Sequence, residues 1–221
     1  MIHILDDFYS NPMEVRENAL KLFYYPGGKG NTNNFPGKRT VGTFSEENRL
    51  YCRNRLEQVI GSNLIDFPAM NSNCGFTLGM ETDRRYKKGK TLNWIHNDIM
   101  PSTVKSNTEH GSTGWAAIVY MQPAADVTTG TGLFRNKRTN KIYATESKMK
   151  GDENAAFFGE WKAKDKDKDW ELHTYVGNIF NRCAVYPAHY WHAPFNAGFG
   201  YDKKTGRLVQ VFFFNSEKTD V

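Results

Sequence analysis

From about residue 74 to the C-terminus the chain is a succession of short β-rich runs. They fall at 75–82, 91–96, 115–121, 131–134, 141–145, 172–176, 183–186 and 207–214, with Gly, Asn, Thr and Lys between them. Many short strands separated by turn signals build a sandwich or a barrel. Trp115–Met121 (WAAIVYM) and Leu208–Phe214 (LVQVFFF) are the most apolar runs, so they are expected as central strands. Gly130-Thr131-Gly132 reads as a hairpin turn, and residues 146–170 as an excursion from the β core.

The first third reads differently. Ser10-Asn11-Pro12 offers a cap with proline early in the first turn, and Val15, Ala19, Leu22 and Phe23 follow at helical spacing. Residues 25–43 are rich in Gly, Asn and Pro and are expected as loop. Ser45 followed by Glu46 and Glu47 starts a second helix, with acids at its positive end. Its core face is Cys52, Leu56, Val59 and Ile60, and Gly61 ends it. No internal repeat or linker interrupts the 221 residues. The expectation is one domain over 1–221, a helical buttress over about 1–70 and a β core over about 74–215. The fold class is mainly β with N-terminal helices (α+β).

Composition excludes several classes. With 39% hydrophobic and 14% aromatic residues the chain can bury a core and is not disordered. No apolar run approaches the roughly 18 residues of a membrane span, so no membrane partner is expected. The opening Met1–Asp7 (MIHILDD) lacks the basic start and long apolar stretch of a signal peptide. The three cysteines, Cys52, Cys74 and Cys183, are widely spaced without a CxxC pair. That argues against a disulfide framework or a structural zinc site and for a cytoplasmic location. The net charge of +5 is scattered among interleaved acids; Lys162–Asp169 (KAKDKDKD) nearly cancels itself and reads as a solvated loop. Mild basicity of this kind favours solubility over nucleic-acid binding.

There is no HExxH, Walker A, GxGxxG or GxSxG motif. What stands out is His96-Asn97-Asp98 after Trp94-Ile95. Side chains at i and i+2 of a strand share a face, so His96 and Asp98 can converge on one ion. A later segment, Tyr186-Pro187-Ala188-His189-Tyr190-Trp191-His192, offers two more histidines. Two His and one carboxylate from separate strands are the donor set of the facial triad that holds non-haem Fe(II) with three coordination positions open. Arg207 begins the apolar strand 207–214. An arginine there needs a partner, and a carboxylate gripped by its fork would supply one. His189 and His192 differ by three and face opposite ways on an extended strand. His3, His110 and His173 lack any partner pattern and read as structural or solvated.

The order HxD, distal His, then Arg on the last core strand resembles the Fe(II)/2-oxoglutarate-dependent dioxygenase superfamily. Tyr86-Lys87-Lys88-Gly89 followed by Leu92–Asp98 (LNWIHND) is similar to the Y-x-x-G…H-x-D segment of prolyl hydroxylases. Ala117–Gln122 (AIVYMQ) resembles their following strand, which carries a tyrosine near the cosubstrate. Tyr186-Pro187, with His192 five residues after the proline, resembles their F-P…H segment and favours His192 over His189 as the ligand. The opening Ile4–Pro12 (ILDDFYSNP) also resembles the start of such small oxygenases, and Phe35-Pro36-Gly37 is shared with members of a bacterial and phage group.

The resemblance implies a double-stranded β-helix, or jelly roll. It implies that His96, Asp98 and His192 are both metal ligands and catalytic residues, with Fe(II) as the metal and 2-oxoglutarate and O2 as cosubstrates. Arg207 would hold the cosubstrate's distal carboxylate, with Tyr120 and Tyr86 donating hydrogen bonds. The reaction would be hydroxylation of a prime substrate, a small molecule or a protein side chain, with release of succinate and CO2; hydrogen abstraction leading to desaturation stays open beside it. Related halogenases carry a small residue where Asp98 stands, so halogenation is not expected. The final strand lacks the Asn-x-Thr-x-Arg pattern and second Arg of the nucleic-acid dealkylases, so nucleic acid is not the expected substrate. One departure is the length of the connection between His192 and Arg207: Phe195–Gly206 (FNAGFGYDKKTG) is rich in turn formers and reads as an extended hairpin. Two other readings stay open: a non-catalytic β-helix binding module whose HxD is incidental, and a metal enzyme that uses the same triad without 2-oxoglutarate. The sequence does not name the prime substrate or the oligomeric state.

Overall fold

The computed structural model describes residues 1–25, 37–67, 74–81, 95–98, 114–143, 169–195 and 198–217. The chain there is mostly β with two helices. Helix α1, Pro12–Lys21, begins with its proline in the first turn and carries Glu14 near its start and Lys21 at its end, each sign opposite to the local helix dipole. Helix α2, Glu46–Ile60, is capped by Ser45, whose Oγ accepts from the Asn48 amide at 3.1 Å. Gly61 ends it in the left-handed conformation, φ 66°. Asn48, Cys52, Leu56 and Ile60 recur every four residues and bury one face of α2.

Ten strands are described: β1 His3–Leu5, β2 Lys38–Arg39, β3 Leu64–Asp66, β4 Phe76–Gly79, β5 Trp115–Tyr120, β6 Thr131–Asn136, β7 Trp170–Val176, β8 Cys183–Pro187, β9 His192–Pro194 and β10 Arg207–Ser216. The larger sheet has the order β1-β8-β5-β10-β4-β2, with β3 joined to the far end of β10. The smaller sheet is β7-β6-β9. All pairings are antiparallel. As their apolar runs predict, β5 and β10 are adjacent and central.

Period-2 alternation splits the larger sheet into two buried faces. Val119 of β5, Cys183 and Val185 of β8, and Leu208, Phe212 and Phe214 of β10 pack with Ala19, Cys52, Leu56 and Ile60 of the helices. Ala116, Ile118 and Tyr120, Ala184 and Tyr186, and Val209 point the other way and pack with Leu133 and Val176 of the smaller sheet. The second set defines a space between two facing sheets.

Several expectations are corrected. Strands β1, β2 and β3 lie in the stretch read as helix and loop. At two or three residues each they are too short to show a period of two, and their partners β8, β4 and β10 make them strands. Phe23 is 69% exposed; α1 ends at Lys21, and Arg16 and Ala19 are its buried residues. Thr131 and Gly132 belong to β6 and are not a hairpin turn. Gly130 is required instead by packing, since a Cβ there would collide with the Val176 carbonyl. Residues 141 and 143 make isolated bridges to Asn136 and Tyr190 and no named strand. Most of 91–96, and of 146–170 with its alternating charge run, falls outside the described residues, as do His110 and the basic residues Arg84, Arg85, Lys87, Lys88 and Lys90.

The helix layer is tied to β10 by a buried polar cluster that sequence reading did not anticipate. The Tyr9 hydroxyl donates to Gln210 Oε1, sits 2.9 Å from Cys52 Sγ, and accepts from Asn48 Nδ2 at 3.4 Å. Gln210, fully buried, donates to the Cys74 carbonyl at 2.9 Å. All three cysteines are free and buried. Tyr9→Phe strips Gln210 Oε1 of its hydroxyl donor. It is expected to destabilise the chain by about 1–3 kcal/mol in urea unfolding while leaving metal binding at the opposite face of the sheet unchanged.

Candidate metal centre

His96 and β9 form an antiparallel bridge. The His96 amide donates to the His192 carbonyl at 2.9 Å, and the His192 amide returns to the His96 carbonyl at 2.8 Å. Two residues on, the Asp98 amide donates to the Ala188 carbonyl at 2.8 Å, on the turn after β8. These three backbone bonds fix both segments against each other. His96 Nε2 lies 3.7 Å from Asp98 Oδ1, and His192 Nε2 lies 3.1 Å from Asp98 Oδ2. The two imidazole centroids are 4.3 Å apart, and one ligand atom from each residue falls within 4.8 Å of the others.

The donor set suits a first-row divalent metal. Two imidazoles and one carboxylate on one side leave the other side open. Bonds of about 2.0–2.1 Å put adjacent donor atoms about 3 Å apart, which the His192–Asp98 separation already meets. The Tyr190 carbonyl faces His192 Nδ1 at 3.0 Å. A carbonyl only accepts, so Nδ1 carries the proton and Nε2 is the nitrogen turned toward Asp98.

The electrostatics follow. Burial disfavours the Asp98 carboxylate, but the charges of His192 and His96 and the His192 hydrogen bond outweigh it, and its pKa is lowered. Burial likewise disfavours a charged His192, but Asp98 and the Tyr190 carbonyl outweigh it, and its pKa is raised. Each group thus favours the charged form of the other.

His189 is not part of the cluster. It is half-buried and meets the Tyr143 and Tyr190 rings edge-on at 5.7 and 5.2 Å. Burial, then the nearby terminal amine, lowers its pKa. The proline spacing therefore selects the histidine that the fold places beside Asp98. His3 packs edge-on against Trp115, and His173 is exposed beside the Thr174 hydroxyl.

Arg207 lies on the inter-sheet face of β10, 5% exposed. Its Nε donates to the Thr129 carbonyl at 3.5 Å, and its guanidinium carbon is 6.0 Å from the centroid of Tyr120. Tyr120 is fully buried and donates to Thr131 Oγ1 at 2.7 Å; burial pushes its pKa up to about 12. Val209, on the same face, is its apolar neighbour along the strand. Leu208 and Phe212, neighbours in sequence, point into the helix layer. Tyr86 lies outside the described residues.

Sequence reading missed three supporting residues. Tyr186 packs its ring 4.8 Å from that of His192; its inward parity on β8 was the available signal. Gln122 and Arg16 anchor the C-terminal end of the long 195–206 connection between β9 and β10. Gln122 Nε2 donates to the Lys204 and Gly206 carbonyls at 2.8 and 2.9 Å, and Arg16 Nη2 donates to the Lys204 carbonyl at 2.5 Å. Arg207 therefore starts from a held backbone despite the long connection before it. No local pattern marks either residue.

The fold is similar to that of several solved non-haem 2-oxoglutarate enzymes. The chain superposes on HygX from Streptomyces hygroscopicus, a structure with nickel and 2-oxoglutarate bound, with a TM-score of 0.54, 11% identity, and 98% of this chain and 83% of that one covered. The non-haem α-ketoglutarate-dependent carbocyclase SnoK of nogalamycin biosynthesis gives 0.53, at 12% identity over 97% and 79%. A prolyl hydroxylase from Trichoplax adhaerens, in complex with a hypoxia-inducible-factor peptide, gives 0.51, at 14% identity over 99% and 84%. At these identities the likeness is one of fold. By sequence the chain belongs to the family of unknown function DUF6445, whose profile matches residues 1–214. No curated protein matches it.

The geometry separates the two histidines experimentally. His192→Ala is expected to weaken Ni(II) or Co(II) binding by about 100-fold or more, since loss of even a supporting partner costs about 10–100-fold. His189→Ala is expected to leave it within about threefold; isothermal titration distinguishes them.

Proposed function

We propose that this chain is one oxygenase domain over 1–221, a double-stranded β-helix of about 74–215 buttressed by the N-terminal helices of about 1–70. In this reading it is an Fe(II)- and 2-oxoglutarate-dependent oxygenase that hydroxylates a prime substrate. The observation that carries the reading is the meeting of His96, Asp98 and His192 within 4.8 Å of one another, in the same inter-sheet space as the buried Arg207 and Tyr120. The solved 2-oxoglutarate enzymes that share the fold support it.

His96, Asp98 and His192 hold the metal. Bound Fe(II) supplies the redox chemistry by which O2 oxidises 2-oxoglutarate to succinate and CO2, one oxygen atom going to succinate and the other into a substrate C–H bond. Arg207 binds the distal carboxylate of 2-oxoglutarate through its planar fork, with two parallel charge-assisted hydrogen bonds. Tyr120 lines the same end of the space. By the family resemblance, Tyr86 is a further donor to the cosubstrate. Tyr186 and Val209 keep the path between the metal and Arg207 apolar, which strengthens the guanidinium–carboxylate attraction by excluding water. His192 would hold the metal through Nε2, with Nδ1 donating to the Tyr190 carbonyl.

Two predictions follow from this assignment. Anaerobic addition of Fe(II) and 2-oxoglutarate to the purified protein is expected to produce a weak visible charge-transfer band, abolished by a chelator and absent from Asp98→Ala. A protein that binds neither component overturns the assignment. Arg207→Ala is expected to weaken 2-oxoglutarate binding by about 30-fold to several-thousand-fold, the range set by losing one partner of a buried charge pair, while metal binding survives. Arg207→Lys is expected to recover part of the loss, because it keeps the charge and not the fork. Unchanged affinity in Arg207→Ala would move the anchor elsewhere.

A further inference from the structure

Strand β6 serves as a ruler along the inter-sheet space. Thr131, Leu133 and Arg135 share one face by alternation; the register shift at Leu133/Phe134 adds its extra residue, His173, on β7 and leaves the count along β6 unbroken. Thr131 accepts the Tyr120 hydrogen bond at the Arg207 end. Leu133 belongs to the inter-sheet core and stands opposite His192 in the β6–β9 pair. Phe134 packs on the reverse face with Trp170 and Trp191, which fixes the parity. Arg135 therefore lies on the His192 face, about 7 Å along the strand beyond Leu133, on the side away from Arg207.

Its surroundings differ from those of Arg207. Arg135 is 35% exposed, and its Nη1 is 3.7 Å from Oε2 of Glu171, itself 55% exposed and directly opposite in β7. An ion pair this open contributes little to stability. Arg207 closes one end of the space with a buried cation, and the Arg135–Glu171 pair stands at the other end, open to solvent, with the His–Asp–His cluster between them.

We propose, resting on the oxygenase reading above, that Arg135 and Glu171 recognise the prime substrate, and that this substrate is a small zwitterion, a free α-amino acid. The Arg135 fork takes the substrate carboxylate, and Glu171 accepts from its ammonium. Two opposite charges 3.7 Å apart complement the carboxylate and ammonium carried by one α-carbon. The internal residue of a polypeptide has neither charge on its backbone, so the same pair is poorly matched to a protein side-chain substrate. With its charges held at Arg135, the substrate points its side chain inward toward the metal cluster.

The test uses the full chain loaded with Ni(II) and 2-oxoglutarate, which fills the site without turnover. Individual proteinogenic α-amino acids are titrated calorimetrically, and each that binds is repeated as its N-acetyl and carboxamide derivative. At least one free amino acid is expected to bind, and either cap is expected to weaken it by about tenfold or more. Arg135→Ala is expected to weaken it by a similar factor with 2-oxoglutarate affinity held within about twofold, and Arg135→Lys to restore part of the loss. In the Fe(II) enzyme the same amino acid should stimulate succinate formation, with Arg135→Ala raising its KM and sparing kcat. If no amino acid binds a protein that still takes Ni(II) and 2-oxoglutarate, or if capped forms bind as tightly, the substrate class is wrong and the oxygenase reading stands. If Ni(II) and 2-oxoglutarate themselves fail to bind, the oxygenase reading falls and this proposal with it.

Discussion

A guanidinium buried in a central strand sets terms for much of this molecule. The β10 strand is covered on one face by the helices and on the other by the smaller sheet, so Arg207 has no route to bulk water and must be met by polar groups inside. The Thr129 carbonyl and the Tyr120 ring meet it there. Tyr120 is placed by its bond to Thr131, and Thr131 by the start of β6, where Gly130 lets the backbone pass the Val176 carbonyl. The strand start is held in turn by Gln122 on the Gly206 carbonyl. Replacing any of these shifts a charge that cannot be resolvated.

The parts of this arrangement that are periodic were legible in the sequence. The stripe Cys52, Leu56, Ile60 and the apolar runs of β5 and β10 declare their elements because each is long enough to show its period. His96 and Asp98 share a side because i and i+2 do so in any extended backbone, and the resemblance of Tyr186-Pro187…His192 to an F-P…H segment pointed to His192. What was not legible depends on partners distant in sequence. Nothing in Lys38-Arg39 marks a strand until β4 lies beside it. The hydrophobicity of Leu208 and Phe212 equally fits an apolar wall around Arg207, and only the parity of β10 assigns them to the helix layer. The Gln122 and Arg16 anchors join residues 82 or more apart in sequence, with no local signature. Those anchors let the long 195–206 connection deliver a fixed strand start at Arg207.

The two polar clusters of β10 lie on opposite faces and do different work. Gln210, among Tyr9, Asn48 and Cys74, satisfies buried groups with one another and leaves nothing to bind. Arg207, three residues earlier and of opposite parity, faces the space between the sheets. A satisfied neutral network fixes the helix layer against the sheet at modest net gain per bond, whereas a buried cation favours an anionic ligand. Alternation within one strand thus puts a satisfied neutral network on one face and a buried cation on the other.

His96, Asp98 and His192 are brought together by backbone. Mutual amide–carbonyl bonds between His96 and His192, and the Asp98 amide on the Ala188 carbonyl, join the segments that carry the three side chains. Holding a carboxylate 3.1 Å from an imidazole in a buried setting couples their ionisation. Each favours the charged form of the other against its own burial, so the His192 pKa is raised while that of Asp98 is lowered. The same backbone also fixes the tautomer: the Tyr190 carbonyl accepts from Nδ1 and leaves Nε2 as the nitrogen turned to Asp98.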